Sequence, residues 1–297
     1  MKPDVTKTLE LSQSYLKENT KRYAFKKLER EIVKTQVCVE CGTCVSNCPV
    51  DALTGEHVEG RYVPTLTGDC VSCGICYAMC PRTKMLSENL IGDFLTIWKA
   101  QSSADSGTRQ DGGVASALLA AGLRKGTIDA GVVAMHSDTP WLPKTVIATS
   151  EEEALSSGGT IYIHTQPIAG MMDAFKQGHS KVAVVGTACN IDALTRLETH
   201  PGGFLSQSKD VDVTKIGLFC MESFDYNRLN TFLKDGGIEI KDVSRMTIAS
   251  GKFVVTTSNG DQEWPVADLN EAAAKSCSYC HDLTAMNADI TCGNIGS

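Results

Sequence analysis

Several classes of protein are excluded by what this chain lacks. It has no long uninterrupted apolar run, so no transmembrane helix is predicted. Its first 31 residues are rich in lysine and glutamate and lack the apolar core of a secretory signal. Aromatic residues make up 6% and the formal net charge is −7, which disfavours nucleic-acid partners because these are bound by basic surfaces and stacking rings. No GxGxxG follows a predicted strand, which disfavours a Rossmann dinucleotide site.

Cysteine, in contrast, is abundant, with 13 residues in a chain of 297. Without a secretory signal, so many thiols indicate a reducing compartment. We therefore expect a cytoplasmic protein of an anaerobe, either free or peripheral to a membrane complex. The length and a hydrophobic content of 42% predict about two domains with a real core.

Eight of the cysteines form a repeated pattern. CVECGTCVSNCP at 38–49 and CVSCGICYAMCP at 70–81 share the spacing CxxCxxCxxxCP. This spacing is typical of ferredoxins with two [4Fe–4S] clusters, in which the fourth cysteine of each run binds the other cluster. One predicted ligand set is Cys38, Cys41, Cys44 and Cys80, and the other is Cys70, Cys73, Cys76 and Cys48. Zinc is the alternative, but a zinc site needs four cysteines per metal in two pairs.

The motif divides the chain into three predicted parts: an N-terminal helical segment at 1–36, a ferredoxin domain at 37–88 and a larger domain at 89–297. Apolar residues recur among charged ones from Leu9 to Ile32, which predicts one or two amphipathic helices. These helices either cap the ferredoxin domain or dock a partner subunit. Residues 52–67, around Gly60, predict a hairpin.

The larger domain alternates strands and helices. This order predicts an α/β fold (α+β for the whole chain), with a mixed sheet and helices on both faces. The predicted strands are 96–100, 130–135, 146–149, 182–185 and 216–219, with a late hairpin at 248 and 253–257. The predicted helices are 113–125, 151–155, 171–177, 190–196 and 227–234.

Three glycine-containing turns lie beside predicted helices. Backbone amides at such turns can bind a phosphate or the polar edge of a flavin, and a tight turn without a ligand is the alternative for each. Turn 1 is Gln110, Asp111, Gly112 and Gly113; turn 2 is Ser157, Gly158, Gly159 and Thr160; turn 3 begins with Gly186 and Thr187.

Four of the five remaining cysteines predict a third cluster. Cys189 and Cys220 each follow an apolar strand, and strand ends in an open α/β sheet face the ligand crevice. Cys277 and Cys280 form a CxxC pair. The alternatives are buried small hydrophobes for the first two, and a redox dithiol or half a zinc site for the pair. Cys292 is left as an ordinary buried or free thiol.

The larger domain resembles a known family over roughly residues 90–297. Five runs, in order, are similar to motifs of the family of coenzyme F420 hydrogenase/dehydrogenase beta subunits: RQDGGVASALLAAGLRKGTIDAGVVA, LSSGGTIY, VAVVGTACNIDAL, IGLFCMESFDY and CSYCHDLTAMNADITCGNIGS. The resemblance implies an FAD module that exchanges hydride with coenzyme F420 and passes single electrons to a cluster on the four cysteines above. It places the flavin on the three turns, with Tyr162 and Asn190.

The same resemblance implies partners among redox subunits: a hydrogenase, a formate dehydrogenase, a sulfite or disulfide reductase, or a membrane dehydrogenase.

Two positions depart from the family pattern. Ile161 stands where the family commonly has lysine, in GGTKYT, and Ala188, Cys189 and Asn190 replace PCQ. The alternatives are a plain electron-transfer subunit without hydride chemistry, and a flavin subunit that uses ferredoxin or another donor. Family members usually continue beyond the point that corresponds to Ser297, so the alternatives are a fragment, a domain of a longer polypeptide and a short variant.

Overall fold

The chain is described by a computed structural model over residues 3–19, 24–83, 93–103 and 109–294. No helix within these ranges is both long enough and apolar enough to cross a membrane.

The N-terminal segment is helical, as its apolar periodicity predicts. Its elements are α1, Val5–Asn19, and α2, Phe25–Leu28, which continues as a π-helical turn over Glu29–Val33. In α2, Leu28 shares a small core with Cys76 of the ferredoxin-type part. In α1, Leu16 packs in the main core with Phe204, and a Cβ on Gly202 would lie 2.8 Å from the Cγ of Leu16. The segment therefore packs on both parts of the molecule.

The ferredoxin-type part consists of two short helices and a hairpin. Its elements are α3, Thr43–Ser46; β1, Leu53–Val58; β2, Arg61–Leu66; and α4, Ile75–Ala78. β1 and β2 pair antiparallel, as predicted, with Val58 opposite Arg61. Each helix follows a left-handed glycine, Gly42 at φ 79° and Gly74 at φ 83°. Residues with a Cβ adopt this conformation only at a cost, so glycine suits both turns.

The larger part contains a mixed five-stranded sheet and a smaller antiparallel sheet. The strands are β3, Ala130–His136; β4, Pro143–Ala148; β5, Lys181–Thr187; β6, Asp212–Leu218; β7, Val243–Ala249; β8, Lys252–Thr257; β9, Gly260–Pro265; and β10, Ile290–Cys292. The helices are α5, Val114–Lys125; α6, Glu151–Ser156; α7, Pro167–Lys176; α8, Ala188–Thr199; α9, Phe204–Gln207; and α10, Tyr226–Asp235. The large sheet has the order β10-β6-β5-β3-β4, in which β4 runs antiparallel to β3 and the other neighbours are parallel.

Helices cover both faces of the large sheet. Val132 of β3 packs in the core with Met171 of α7 and Ile191 of α8. The next residue, Val133, packs with Leu119 of α5 on the opposite face, because successive strand residues point to opposite sides. The predicted α/β class, with a mixed sheet between helices, is confirmed.

The predicted strand at 96–100 is wrong. No described strand pairs with residues 93–103, and Ile97 and Trp98 are 78% and 80% exposed. A short run of apolar and β-branched residues forms a strand only where a neighbour is available, and the local pattern does not reveal that neighbour. Two strands escaped prediction because β9 is polar and exposed and β10 has three residues.

The ferredoxin-type part and the α/β part share one hydrophobic core. Val39, Ile75 and Met79 belong to the same buried cluster as residues of α7 and α8. A Cβ on Gly42 would lie 2.9 Å from the Cβ of Ala169 in α7. The first cysteine loop is therefore held directly against the larger part. The predicted boundary between 88 and 89 lies outside the described residues.

Candidate iron–sulfur and flavin sites

The eight ferredoxin-type cysteines form two groups. Site A is Cys38, Cys41, Cys44 and Cys80, and site B is Cys48, Cys70, Cys73 and Cys76. The pKa of Cys44 is raised well above its usual value, first by burial and then by the other three thiols of site A. Burial raises the pKa of Cys76 to about 12, and the other three thiols of site B contribute. The structure thus brings the last cysteine of each run beside the first three of the other.

Buried, clustered thiols fit bound iron. Each thiolate here would be desolvated and would face other negative charges, which explains the raised pKa values. Because metal ligands must be thiolates, a cation at each site would compensate both penalties. Backbone donors also point at sulfur: Glu40 N donates to Cys38 Sγ at 3.4 Å, and Ala52 N donates to Cys48 Sγ at 3.3 Å.

A third group of thiols lies at the carboxyl edge of the large sheet. Site C is Cys189, Cys220, Cys277 and Cys280, and all four line one cavity. β5 ends at Thr187 and β6 ends at Leu218, so Cys189 and Cys220 follow parallel strands whose ends meet at the same edge. The CxxC pair reaches the cavity from a 3-10 turn at Lys275–Tyr279.

Burial and neighbouring thiols also raise the pKa values of cysteines in site C. The pKa of Cys220 is raised to about 12, first by burial and then by Cys277 and Cys280. Burial also raises the pKa of Cys189, and Cys220 adds to the effect. Ser223 N donates to Cys277 Sγ at 3.3 Å. Site C therefore offers the same kind of donor set as sites A and B.

The thiols of each site do not converge as the ligands of a single metal ion would. Within the described ranges, no three or more Cys, His, Asp or Glu side chains form a group suited to a single metal ion. Four cysteines that hold a [4Fe–4S] cluster each bind a different iron, so they need not meet at one point. The separated thiols are compatible with clusters.

Two further residues of the site C cavity were not predicted. His164 is buried there, its Nε2 lies 3.4 Å from Ser276 Oγ, and desolvation lowers its pKa. Arg82 lines the same cavity. A lone histidine carries no spacing signal, and the sequence signal for Arg82 is its position two residues after Cys80.

Turn 1 and Tyr162 meet at β7. Gln110 Nε2 donates to Thr247 Oγ1 at 2.5 Å, and Ile248 N donates to the Tyr162 hydroxyl at 3.1 Å. Burial is the largest cause that raises the pKa of Tyr162, and Asp111 adds to it. Three of the predicted flavin residues therefore lie in one region.

The paired glycines of turn 1 are also required by packing. A Cβ on Gly112 would lie 3.2 Å from the carbonyl oxygen of Ala100, and Ser102 N donates to Gly112 O at 2.7 Å. Gly113 is the N-cap of α5, and no side chain among the described residues caps this helix. The uncapped amides of α5 suit an anionic group such as a flavin phosphate.

Turn 2 leads from α6 towards Tyr162. Ser157 Oγ donates to Ala154 O at 2.7 Å, and Gly159 has φ 98°. Ile161, two residues after Gly159, packs against the core of the small sheet. The position at which the family commonly has lysine is therefore apolar in character and partly buried.

Turn 3 caps α8 beside site C. Asn190 Oδ1 accepts hydrogen bonds from Thr187 N at 3.2 Å and Thr187 Oγ1 at 3.1 Å. A Cβ on Gly186 would lie 2.8 Å from the Cβ of Asn190. These contacts explain turn 3 as a structural cap, and the buried Asn190 Nδ2 has no partner among the described residues.

Comparison with known families assigns the ferredoxin-type part and the larger part. Residues 37–85 match the family model for a 4Fe–4S dicluster domain. Residues 97–172 match the N-terminal part, and residues 179–297 the C-terminal part, of the coenzyme F420 hydrogenase/dehydrogenase beta subunit.

Individual relatives agree. The coenzyme F420 hydrogenase subunit beta of Methanosarcina barkeri is 33% identical over 70% of this chain and 72% of its own length. One subunit of the F(420)H(2) dehydrogenase of Methanosarcina mazei is 29% identical over 90% of this chain and 78% of its own length. Among solved structures, a chain of the F420-reducing [NiFe] hydrogenase complex from Methanosarcina barkeri superimposes with a TM-score of 0.66 at 32% identity, over 72% of this chain and 75% of that chain. The ordered motifs, the fold and these matches together show that the chain belongs to the family of coenzyme F420 hydrogenase/dehydrogenase beta subunits.

Proposed function

We propose that this chain is the electron-input subunit of an F420-linked oxidoreductase, with FAD and three [4Fe–4S] clusters as resident cofactors and coenzyme F420 as hydride substrate. The observation that carries the proposal is site C, where four thiols line one cavity beside a ferredoxin-type part with two further thiol sets. When bound, FAD would exchange electron pairs as hydride and the clusters would carry single electrons.

The residues support a linear order of the three sites. Val39, which lies between two ligands of site A, also lines the site C cavity. On the other side, the thiol of Cys76 in site B contributes to the raised pKa of Cys44 in site A. These two relationships support an order in which site A lies between sites C and B, and the shared core would hold the three sites in fixed positions.

We assign the flavin to the region of turn 1, turn 2 and Tyr162. The uncapped start of α5 would hold a phosphate, and Tyr162, fixed by Ile248, would position the ring system. Turn 3 would lie on the side that faces site C, because Thr187 lines that cavity. The mostly apolar wall beside Ile161 would exclude water from this region.

The proposed partner is a second redox subunit: a hydrogenase, a formate dehydrogenase, a sulfite or disulfide reductase, or a membrane dehydrogenase. Similarity to a hydrogenase subunit and to an F(420)H(2) dehydrogenase subunit supports this class of partner. The replacement of the family lysine by Ile161 favours one variant, a flavin subunit that takes electrons from ferredoxin or another donor. A third possibility is an electron-transfer subunit without hydride chemistry.

An anaerobic reduction assay tests the proposal. Heat denaturation should release yellow flavin, and reduced F420 should bleach the bound flavin much faster than NADH or NADPH, because no dinucleotide fingerprint is present. A protein without flavin would contradict the hydride chemistry and leave the electron-transfer subunit. Bleaching of the flavin by reduced ferredoxin but not by reduced F420 would show that ferredoxin, and not F420, is the electron donor.

A further inference from the structure

Arg82 joins the ferredoxin-type part to the loop that carries the CxxC pair. Its Nη1 donates to Tyr279 O at 3.1 Å, and its Nη2 donates to Ser276 O at 3.1 Å. These two carbonyls flank Cys277 on the stretch that leads to Cys280. One guanidinium therefore fixes the loop of site C from a position two residues after a ligand of site A.

The charge of Arg82 lies beside both sites. Arg82 follows Cys80 of site A by two residues, and it lines the site C cavity together with Cys189. Its Nε is buried, and no described residue accepts its hydrogen bond. Two carboxylates carry the opposite charge: Glu40 lies between Cys38 and Cys41 of site A, and Glu222 lines the site C cavity.

We propose that Arg82 is a positioning residue that clamps the Cys277–Cys280 loop and whose partly buried charge stabilises the reduced states of clusters at sites A and C. This rests on the proposed clusters at those sites. Reduction adds one electron, and thus one negative charge, to a cluster. A nearby cation stabilises that added charge, and cluster potentials depend on local charge, hydrogen bonds and exposure.

The experiment compares the full-length wild type with Arg82→Gln, Arg82→Lys and Arg124→Gln in anaerobic, EPR-monitored redox titrations with iron analysis. Arg124 pairs with Glu151 on the exposed surface, at 2.7 Å, and its substitution controls for loss of one positive charge. In Arg82→Gln we expect two of the three midpoint potentials to fall by at least about 59 mV. For one electron, this shift is a tenfold change in the equilibrium constant of reduction. The third potential, that of site B, should not move.

In Arg82→Lys the midpoint potentials of both sites should stay close to the wild-type values, because lysine keeps the positive charge. Lysine cannot, however, donate to two carbonyls from a rigid fork. Unchanged potentials in Arg82→Gln, equal falls in the Gln and Lys variants, or loss of iron from both would overturn the proposal. A wild type with only two clusters would instead refute the proposed function at site C. In that case, a fall of one of the two remaining midpoint potentials in Arg82→Gln would support the charge effect, and no change in either potential would overturn it.

Discussion

Glu40 and Arg61 form an ion pair that ties the first cysteine loop to the hairpin. Glu40 Oε1 accepts a hydrogen bond from Arg61 Nε at 3.1 Å, and the two side chains are 7% and 21% exposed. Tyr62 N donates to Glu40 Oε2 at 2.9 Å. Glu40 itself has φ 59°, so the pair holds a non-glycine residue in a left-handed conformation between two ligands of site A.

Removal of this cation should destabilise the protein. Arg61→Met leaves a buried carboxylate without its partner, which costs about 3 kcal/mol in unfolding free energy. An anaerobic urea titration, with iron counted after a chelator challenge, measures the effect. The matched control is Lys252→Met, which breaks an exposed pair with Glu263 and should cost less than about 1 kcal/mol. Equal effects of the two substitutions would contradict the structural role of Glu40.

Gly42→Ala tests the contact between the cysteine loop and α7. A left-handed alanine costs about 1–2 kcal/mol, and the contact at 2.9 Å with Ala169 adds an overpacking penalty of about 1–3 kcal/mol. Gly237→Ala is the control, because Gly237 has φ 80° but no atom of the described part of the chain lies within 4 Å of its added Cβ. We expect a larger drop in thermal midpoint for Gly42→Ala. Similar drops would show that the loop does not rest on α7.

Iron analysis tests the number of clusters. Three [4Fe–4S] clusters require about twelve irons per chain, and a value near eight would remove site C from the ligand assignment. Cys292→Ser should leave the count unchanged, because Cys292 lies on β10 and packs with the core on the α5 side of the sheet. Loss of iron in this variant would show that the ligand set is wrong.

Cys280→Ser should separate flavin reduction from reduction of the ferredoxin-type clusters. If site C is the obligatory exit from the flavin, rapid mixing of the variant with reduced F420 should bleach the flavin while absorbance from sites A and B persists. The iron count should fall by about four relative to the wild type, as expected for loss of one [4Fe–4S] cluster. Bleaching of these clusters at the wild-type rate would mean that electrons bypass site C.

Sequence spacing predicted which cysteines lie near one another in the structure, and their roles as cluster ligands stay predictions. The CxxCxxCxxxCP repeat placed Cys48 and Cys80 with the opposite runs, because a ligand loop has few geometries. Strand ends placed Cys189 and Cys220 at one edge, because parallel strands end on the same side. In both cases local chemistry and simple topology determine position.

Long-range packing explains what the sequence could not reveal. Arg82 reaches carbonyls nearly two hundred residues away, and His164 joins the same cavity from another loop. Neither contact leaves a periodic pattern. The strand prediction for residues 96–100 was wrong for the related reason that strand formation depends on a partner elsewhere in the chain.

The shared core has a consequence for cooperativity. Val39, Ile75 and Met79 are almost completely buried against the α/β part, so an excised ferredoxin-type fragment would present them to water as an adhesive apolar patch. Unfolding of either part would expose the apolar surface of the other part to water. The chain should therefore lose its structure in a single calorimetric transition, although its sequence is divided into several motifs.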